Sequence, residues 1–527
     1  MKKQTVFYGL IGLLTLLCIG LFAYTVDPKL DLNGDNVAYI RLAHALADGQ
    51  GYSNVSADGT STPASHFPPG YPAVLSILIR LGLDSLMAFK ILNGLFLLLS
   101  VLGLFVMTRR LTGQTCLAFS IAVLTMFSPS LLHFAGMAMS EMAYMFATVA
   151  ALFMLYIYDK KSRTGRTPFY RSPFFYLAIL FAAGAYYIRT VGASVLFAVV
   201  VFYLFRKEWT AAVSSAVGCV LCLLPWSLRN AAYGIEGRYL GTVMTVNPWR
   251  PEEGSISTVG EMVDKMLVNV NDTVVQGFKG LLFPFGDWAT TGFSAWFFGL
   301  LVVAVVFYGV WSLGSMRWAM AAFLLANIGL FALWHGGNGT RYVTPLIPYL
   351  FVFFFVGVWA GIRLIRQRRW RADFKSDSLA GLLPLLLVLP MIKPVQERHA
   401  VVKQPYPAAY AHYFHLAQMV QNSVEKGTVV CCRKPEFFVH FAPDIVAVNY
   451  AYDLDPAAVV RDLIDKKVDY VVLEQLGYGS TVRYLYPAVR AYPEWFPVVY
   501  ASPSPETYLL RFERAAARQK LMAPDVE

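Results

Sequence analysis

The stretch TVFYGLIGLLTLLCIGLFAYTV, Thr5–Val26, carries no charged side chain and follows Lys2 and Lys3. A helix crossing a bilayer needs about 20 mostly apolar residues, because it rises about 1.5 Å per residue through a hydrocarbon core of about 30 Å. A cleavable leader has a shorter apolar core and a small-residue cleavage site. Neither feature is present, so the segment reads as a retained first span. Ten further segments read the same way, at approximately 86–107, 116–134, 141–158, 173–188, 190–205, 209–227, 295–313, 318–335, 344–362 and 379–392. The expected fold is therefore an all-α polytopic membrane domain of about 11 transmembrane helices. Composition agrees: the 527 residues are 57% hydrophobic and 15% charged, against roughly 25% charged in soluble proteins.

The formal charge of +11 raises the question of a nucleic-acid partner, which its distribution answers. Residues 394–527 hold 14 Lys and Arg against 15 Asp and Glu, whereas residues 1–393 hold 30 against 18. With the N-terminus placed inside, the inner segments carry 18 basic residues, including Arg109, Arg110, Lys160, Lys161, Arg206 and Arg317, against four acidic ones. The excess is a positive-inside topology signal, and no nucleic-acid partner is implied. It predicts an integral membrane protein, of a bacterial inner membrane, with a cytoplasmic N-terminus.

Two long loops then face outward, about 27–85 and 228–294. The first contains Asn36–Ala47, which reads as an amphipathic helix, and a second interfacial helix around Tyr71–Leu81. Beyond the last span the pattern changes. A helix over Ala408–Val424 precedes β-type runs at Thr428–Cys431, Ile445–Val448 and Tyr470–Leu473, with helical Pro456–Lys467 between the last two and closing strands at Pro497–Tyr500 and Tyr508–Phe512. This alternation predicts a small C-terminal α/β soluble domain. The expected division is residues 1–393 for the membrane domain and 394–527 for an extracytoplasmic domain. Adjacent Cys431 and Cys432 have a poor geometry for bridging each other, and the six cysteines form no disulfide framework.

Chemistry-bearing residues gather at the outer side. Asp35, in Asp31-Leu-Asn-Gly-Asp35-Asn36-Val-Ala-Tyr39, opens a helix, where it serves either as a helix N-cap or as a general base toward a hydroxyl. His66 precedes Phe67-Pro68-Pro69, a rigid turn, and a lone loop histidine is usually only solvated. Glu141 follows Ser140 at the start of span four. A carboxylate there is either a first-turn acid favoured by the helix dipole or a group held by a partner in a cavity. Arg189 and Lys90 lie on the side that the charge rule leaves poor in cations, so each meets a lipid-linked phosphate or snorkels to headgroups. Arg341, followed by Tyr342 after a glycine-rich loop at 336–339, reads as an anion-binding residue or a headgroup anchor. Midspan positions read as almost uniformly apolar.

The order of these parts resembles the C-type superfamily of integral-membrane glycosyltransferases, in the branch holding the protein O-mannosyltransferases and the lipid A aminoarabinose transferase. The resemblance spans about Met1–Lys393. It rests on Gly34-Asp35-Asn36-x-x-Tyr39 after span one, on Pro68-Pro69, on Ser140-Glu141 and on Arg341-Tyr342 followed by Pro345 and Pro348. It implies transfer of a sugar from a polyprenyl-phosphate donor, with inversion, on the extracytoplasmic face, and it makes Asp35 the catalytic base. Asn36, Tyr39, His66, Lys90, Glu141, Arg189, Arg341 and Tyr342 become the substrate-binding candidates. The chain departs from the pattern twice: Asn36 stands where a second acid is usual, and Phe67 where a basic residue often precedes the paired prolines. Donor-phosphate contacts then fall to Arg189, Arg341 or Lys90.

An inverting displacement needs one carboxylate to take the acceptor's proton and cations to stabilise the departing phosphate, whereas a retaining double displacement uses two closely paired carboxylates. No cofactor is required by these residues and no metal-ligand set stands out. Expected partners are the lipid-linked sugar donor, a lipid, glycan or protein acceptor and the membrane lipids. The alternative is a non-enzymatic lipid-linked sugar flippase or transporter, a class that usually shows polar or broken helices near the midplane.

Overall fold

A computed structural model describes residues 2–164, 168–235, 238–286, 292–334, 339–370 and 379–521. The contacts divide the chain into two compact units. The first takes Met1–Leu30, Ser65–Arg238 and Thr258–Lys403; the second takes Asp31–Ala64, Tyr239–Ser257 and Gln404–Glu527. The expected boundary at residue 394 falls inside the helix Val388–Lys403. The second unit also draws in Asp31–Ala64, part of the first long loop.

The first unit is helical. Among the described residues eight helices are long and apolar enough to cross a membrane: Gln4–Thr25, Leu86–Thr112, Glu141–Arg163, Trp209–Ala232, Phe293–Trp311, Gly314–Leu333, Arg341–Arg366 and the run Leu379–Ser423. The expected span at 116–134 is a bent pair, Thr115–Met126 and Pro129–Ala135, meeting at 60°. The break has a local cause: Ser128 caps the second helix and Pro129, which has no amide hydrogen, begins it. The segments expected at 173–188 and 190–205 form the shorter apolar helices Pro173–Ile188 and Thr190–Phe205. At 1.5 Å per residue, 16 residues in Pro173–Ile188 cover about 24 Å, less than a full core. Each of the eleven expected spans thus has an apolar helical counterpart among the described residues, but two of these fall short in length.

Burial distinguishes the helices. Gln4–Thr25 is largely uncovered, with Leu16 70% and Ile19 54% exposed, as suits a hydrocarbon-facing surface. Glu141–Arg163 is enclosed, with Met145, Leu152 and Leu155 fully buried. Where Phe293–Trp311 crosses Ile347–Trp370 the backbones touch, and a β-carbon on Gly309 would fall on the Phe353 carbonyl. Close backbone approach through glycine is a normal device for helices that lack a hydrophobic drive to associate. Near Arg163, buried Asp159 accepts from Arg163 Nε at 3.0 Å and Ser315 Oγ at 2.6 Å, and pairs closely with Arg206. That knot joins three segments of the unit.

The second unit is built on a five-stranded sheet. Its strands are β3 (Val429–Cys431), β4 (Val446–Val448), β5 (Tyr470–Leu473), β6 (Val498–Ala501) and β7 (Tyr508–Arg511), ordered β4-β3-β5-β7-β6. β3 runs parallel to β4 and β5, while β7 is antiparallel to β5 and β6. The parallel pairs need crossovers, supplied by Pro435–Phe441 and by Pro456–Asp465, which Asp455 caps through the amides of Ala457 and Ala458. Val459, Val460, Leu463, Tyr484, Trp495 and Phe512 form the core. The same unit contains the helix Asp35–Ala47 and a hairpin, β1 (Ser53–Val55) with β2 (Ser61–Pro63). All six cysteines are unbridged.

Candidate active site

In the first unit three chain segments converge on one carboxylate. Glu141 is the first residue of its helix and fully buried. Arg189 follows the helix Pro173–Ile188 in extended conformation, with φ −147° and ψ 133°, which releases its side chain from the helix surface. Arg341 lies in the short turn Gly339–Val343. Arg189 Nη1 donates to Glu141 Oε1 at 2.8 Å and to Ser140 Oγ at 3.0 Å, while Arg341 Nε donates to the same Oε1 at 3.0 Å. The three charged side chains together carry +1. Glu141 Oε2 accepts no hydrogen bond from the described residues. His133 lies within electrostatic reach of both Glu141 and Arg398.

The glycine-rich segment that was expected to accompany Arg341 lies at 336–338 outside the described residues. Tyr342 sets its ring 6.4 Å from Trp334 and 6.5 Å from Phe331. Lys90 is fully buried, and its Nζ donates to the carbonyls of Asp27 at 2.7 Å and Lys29 at 2.5 Å. It thereby ties the chain leaving the first helix to the second. His66 is exposed and meets Phe67 edge-on at 4.5 Å.

The spans are less uniformly apolar than the sequence suggested. Thr148 and Tyr349 share a hydrogen bond of 2.9 Å, and Asn327 donates to Ser194 at 2.9 Å. Asn93 donates to Tyr71 at 3.0 Å and to the Met139 carbonyl at 2.8 Å. Each bond links one segment to another, the expected use of polar side chains in a membrane bundle.

Asp35, Asn36 and Tyr39 belong to the second unit. Gly34 occupies the N-cap position with φ 96°, so Asp35 is not the cap but the first helical residue, half-buried. A left-handed φ suits glycine, and a β-carbon here would also stand 3.3 Å from Lys434 Nζ. Buried Asn36 locks the turn from within: its Oδ1 accepts from the Gly34 amide at 3.0 Å and its Nδ2 donates to the Asp31 carbonyl at 3.1 Å. An acid at 36 could accept from Gly34 but could not donate to Asp31. Tyr39 is buried within the helix. Lys434 Nζ donates to the Asn33 carbonyl at 3.1 Å, and Pro435–Phe441 packs against Asp35–Ala47.

Sequence reasoning passed over Lys434, His133 and Arg398. Lys434 is the N-cap residue of Pro435–Phe441 and Arg398 lies in a helix tail rich in charge, so neither carries a spacing signal. His133 does stand alone in an apolar segment, which was the available clue. No group of three or more His, Cys, Asp or Glu side chains among the described residues is arranged to hold a metal.

The fold is one seen in solved structures, in line with the fold that the sequence resemblance implied. ArnT from Cupriavidus metallidurans bound to undecaprenyl phosphate aligns with a TM-score of 0.56 at 12% identity, over 98% of this chain and 99% of that one. The Archaeoglobus fulgidus oligosaccharyltransferase tethered to an acceptor peptide aligns with a TM-score of 0.58 at 12% identity, over 95% of this chain and 73% of that one. The oligosaccharyltransferase AglB from Archaeoglobus fulgidus, in complex with an inhibitory peptide and a dolichol-phosphate, gives 0.55 at 13% identity, over 96% and 74%. No protein-family model matches the sequence, and no curated protein matches it.

Proposed function

We propose that this chain is an integral-membrane glycosyltransferase that moves a sugar from a polyprenyl-phosphate donor to a hydroxyl acceptor on the extracytoplasmic face. The observation that carries the proposal is the convergence of Arg189 and Arg341 on buried Glu141. A carboxylate that holds two guanidinium groups side by side preorganises an excess positive charge, and such a site favours a developing phosphate anion. Structures of the same fold bound to undecaprenyl phosphate and to dolichol-phosphate support this choice of ligand.

The assigned chemistry is a single inverting displacement. The acceptor oxygen attacks the anomeric carbon on the face opposite the phosphate, Asp35 takes the hydroxyl proton, and the carbon–oxygen bond to the phosphate breaks. The electron pair leaves on the polyprenyl phosphate, stabilised by Arg189 and Arg341. Glu141 positions the two cations, and Asn36 and Lys434 hold the turn that bears Asp35.

The test is mass spectrometry of cell-envelope glycolipids and glycoproteins with and without this chain, paired with release of polyprenyl phosphate from a labelled donor by the purified protein. One glycan species missing from the deleted strain, and donor turnover in vitro, are expected. Solute flux in liposomes without any sugar transfer would reverse the reading in favour of a transporter.

A further inference from the structure

The second unit carries a cluster that the reaction above does not use. Arg433, two residues past the end of β3, is ringed by aromatic side chains: its guanidinium carbon is 4.6 Å from the Tyr478 ring centre and 5.7 Å from those of Trp249 and Tyr452. Its Nε donates to Ser480 Oγ at 2.6 Å. Among the described residues that is its one hydrogen bond, so both terminal nitrogens lack a protein acceptor. Guanidinium faces stack on aromatic rings, and the edge is left to bind planar or tetrahedral oxyanions.

Trp249 is held in place although it is 52% exposed. Its carbonyl accepts from Tyr484 Oη at 3.2 Å, and the neighbouring Glu252 is fastened by Arg483 at 2.6 Å and by Tyr484 at 2.8 Å. The indole Nε1 donates to no described residue. A large ring fixed by its backbone yet left half in water keeps one amphipathic surface for a ligand with apolar C–H faces and hydroxyl groups. Lys434, the next residue, stands 5.0 Å from the Tyr478 ring centre and reaches the Asn33 carbonyl. The cluster is therefore continuous with the turn that presents Asp35.

We propose that Trp249, Arg433 and Tyr478 form an acceptor subsite for a sugar bearing a carboxylate or phosphate, with the pyranose face on Trp249 and the anionic group on Arg433. The acids nearby are otherwise engaged. Glu252 is paired with Arg483, and Glu436 faces Arg41. Glu474, in electrostatic reach of Arg433, is buried against the Leu476 amide and the Thr481 hydroxyl, and burial holds its carboxyl above the usual range. The subsite rests on the glycosyltransferase reading for its role, but its binding is independent of turnover.

The test is equilibrium binding to the full-length protein in nanodiscs, with methyl glucuronide, glucose 6-phosphate and neutral methyl glucoside as probes. Both anionic sugars are expected to bind at least tenfold more tightly than methyl glucoside. Arg433→Gln removes that preference, and Trp249→Leu weakens all three probes. Tighter binding of one anionic probe than the other identifies the preferred group, carboxylate or phosphate. Equal binding of neutral and anionic sugars, no measurable sugar binding, or an unchanged preference in Arg433→Gln overturns the subsite. Selective binding by a wild-type protein that transfers no sugar sinks the glycosyltransferase reading alone. Transfer without anionic-sugar selectivity sinks the subsite alone.

Discussion

Arg189 and Glu141 lie 48 residues apart in the chain, yet Nη1 of one meets Oε1 of the other at 2.8 Å, at the start of an enclosed helix. Arg341, 200 residues from Glu141, shares that oxygen. A single buried acid thus sets where two cations stand.

Removing that acid leaves two neighbouring guanidinium groups without their shared counter-charge. Breaking a buried ion pair costs about 3–5 kcal/mol. Glu141→Gln is therefore expected to lower the melting temperature in detergent and to raise the KM for the lipid-linked donor. A variant as stable as the parent, with the same KM, would show that the cations are placed by something else.

Asp35→Asn keeps the shape of the side chain but cannot take a proton. General-base catalysis contributes about 10²–10⁴-fold, so kcat should fall by at least a hundredfold with expression and thermal stability unchanged. Full activity in this variant excludes Asp35 as the base.

Asn36 ties the turn together from within. Asn36→Ala leaves the Gly34 amide and the Asp31 carbonyl without their partner, at about 1–3 kcal/mol for buried polar groups. The expected signature is a reduced kcat with donor KM nearly constant and faster hydrogen exchange over residues 31–38. Unchanged exchange in that segment would remove the clamp assignment.

Glu474 couples the second unit to pH. Burial raises its folded pKa above the ordinary 4.5, against the opposing bonds from Thr481 and the Leu476 amide. The folded state then binds its proton more tightly than the unfolded state does. Its contribution to stability is full below about pH 4.5 and is lost as pH rises through the raised folded value. Protection of the Leu476 and Thr481 amides, corrected for intrinsic exchange, should decline over that window in the parent and not in Glu474→Gln. Equal slopes in the two proteins would discount the effect.

Gly309 admits no side chain. Gly309→Leu sets a branched group against the Phe353 carbonyl, and overpacking typically costs about 1–3 kcal/mol. The variant is expected to lose melting temperature, and a control at Gly361, where a β-carbon meets nothing within 4 Å, is expected to lose little.

Much of the architecture was readable in one dimension. Bilayer thickness and helix rise make a span a local run of apolar residues, so every expected segment has an apolar helical counterpart in the structure. Strand-length apolar runs alternating with a helix likewise announced the five-stranded sheet. Span length was less legible, because the ends of Pro173–Ile188 and Thr190–Phe205 depend on where neighbouring segments turn. The candidate site was legible by residue type: the cost of a carboxylate at a membrane boundary singled out Glu141, and the cation-poor outer side singled out Arg189 and Arg341.

By itself, then, the sequence determined the helical membrane unit, the mixed α/β unit and the residues whose charge demanded a partner, because each of these follows from local composition and period. Only the tertiary structure decided who the partners are. It joined two arginines on one carboxylate oxygen, pinned Lys90 to two carbonyls and brought the Asp35 helix into the unit of the C-terminal sheet, with Lys434 against its turn. Contacts between residues 48, 61 or 401 positions apart are set by packing, and no local pattern encodes them.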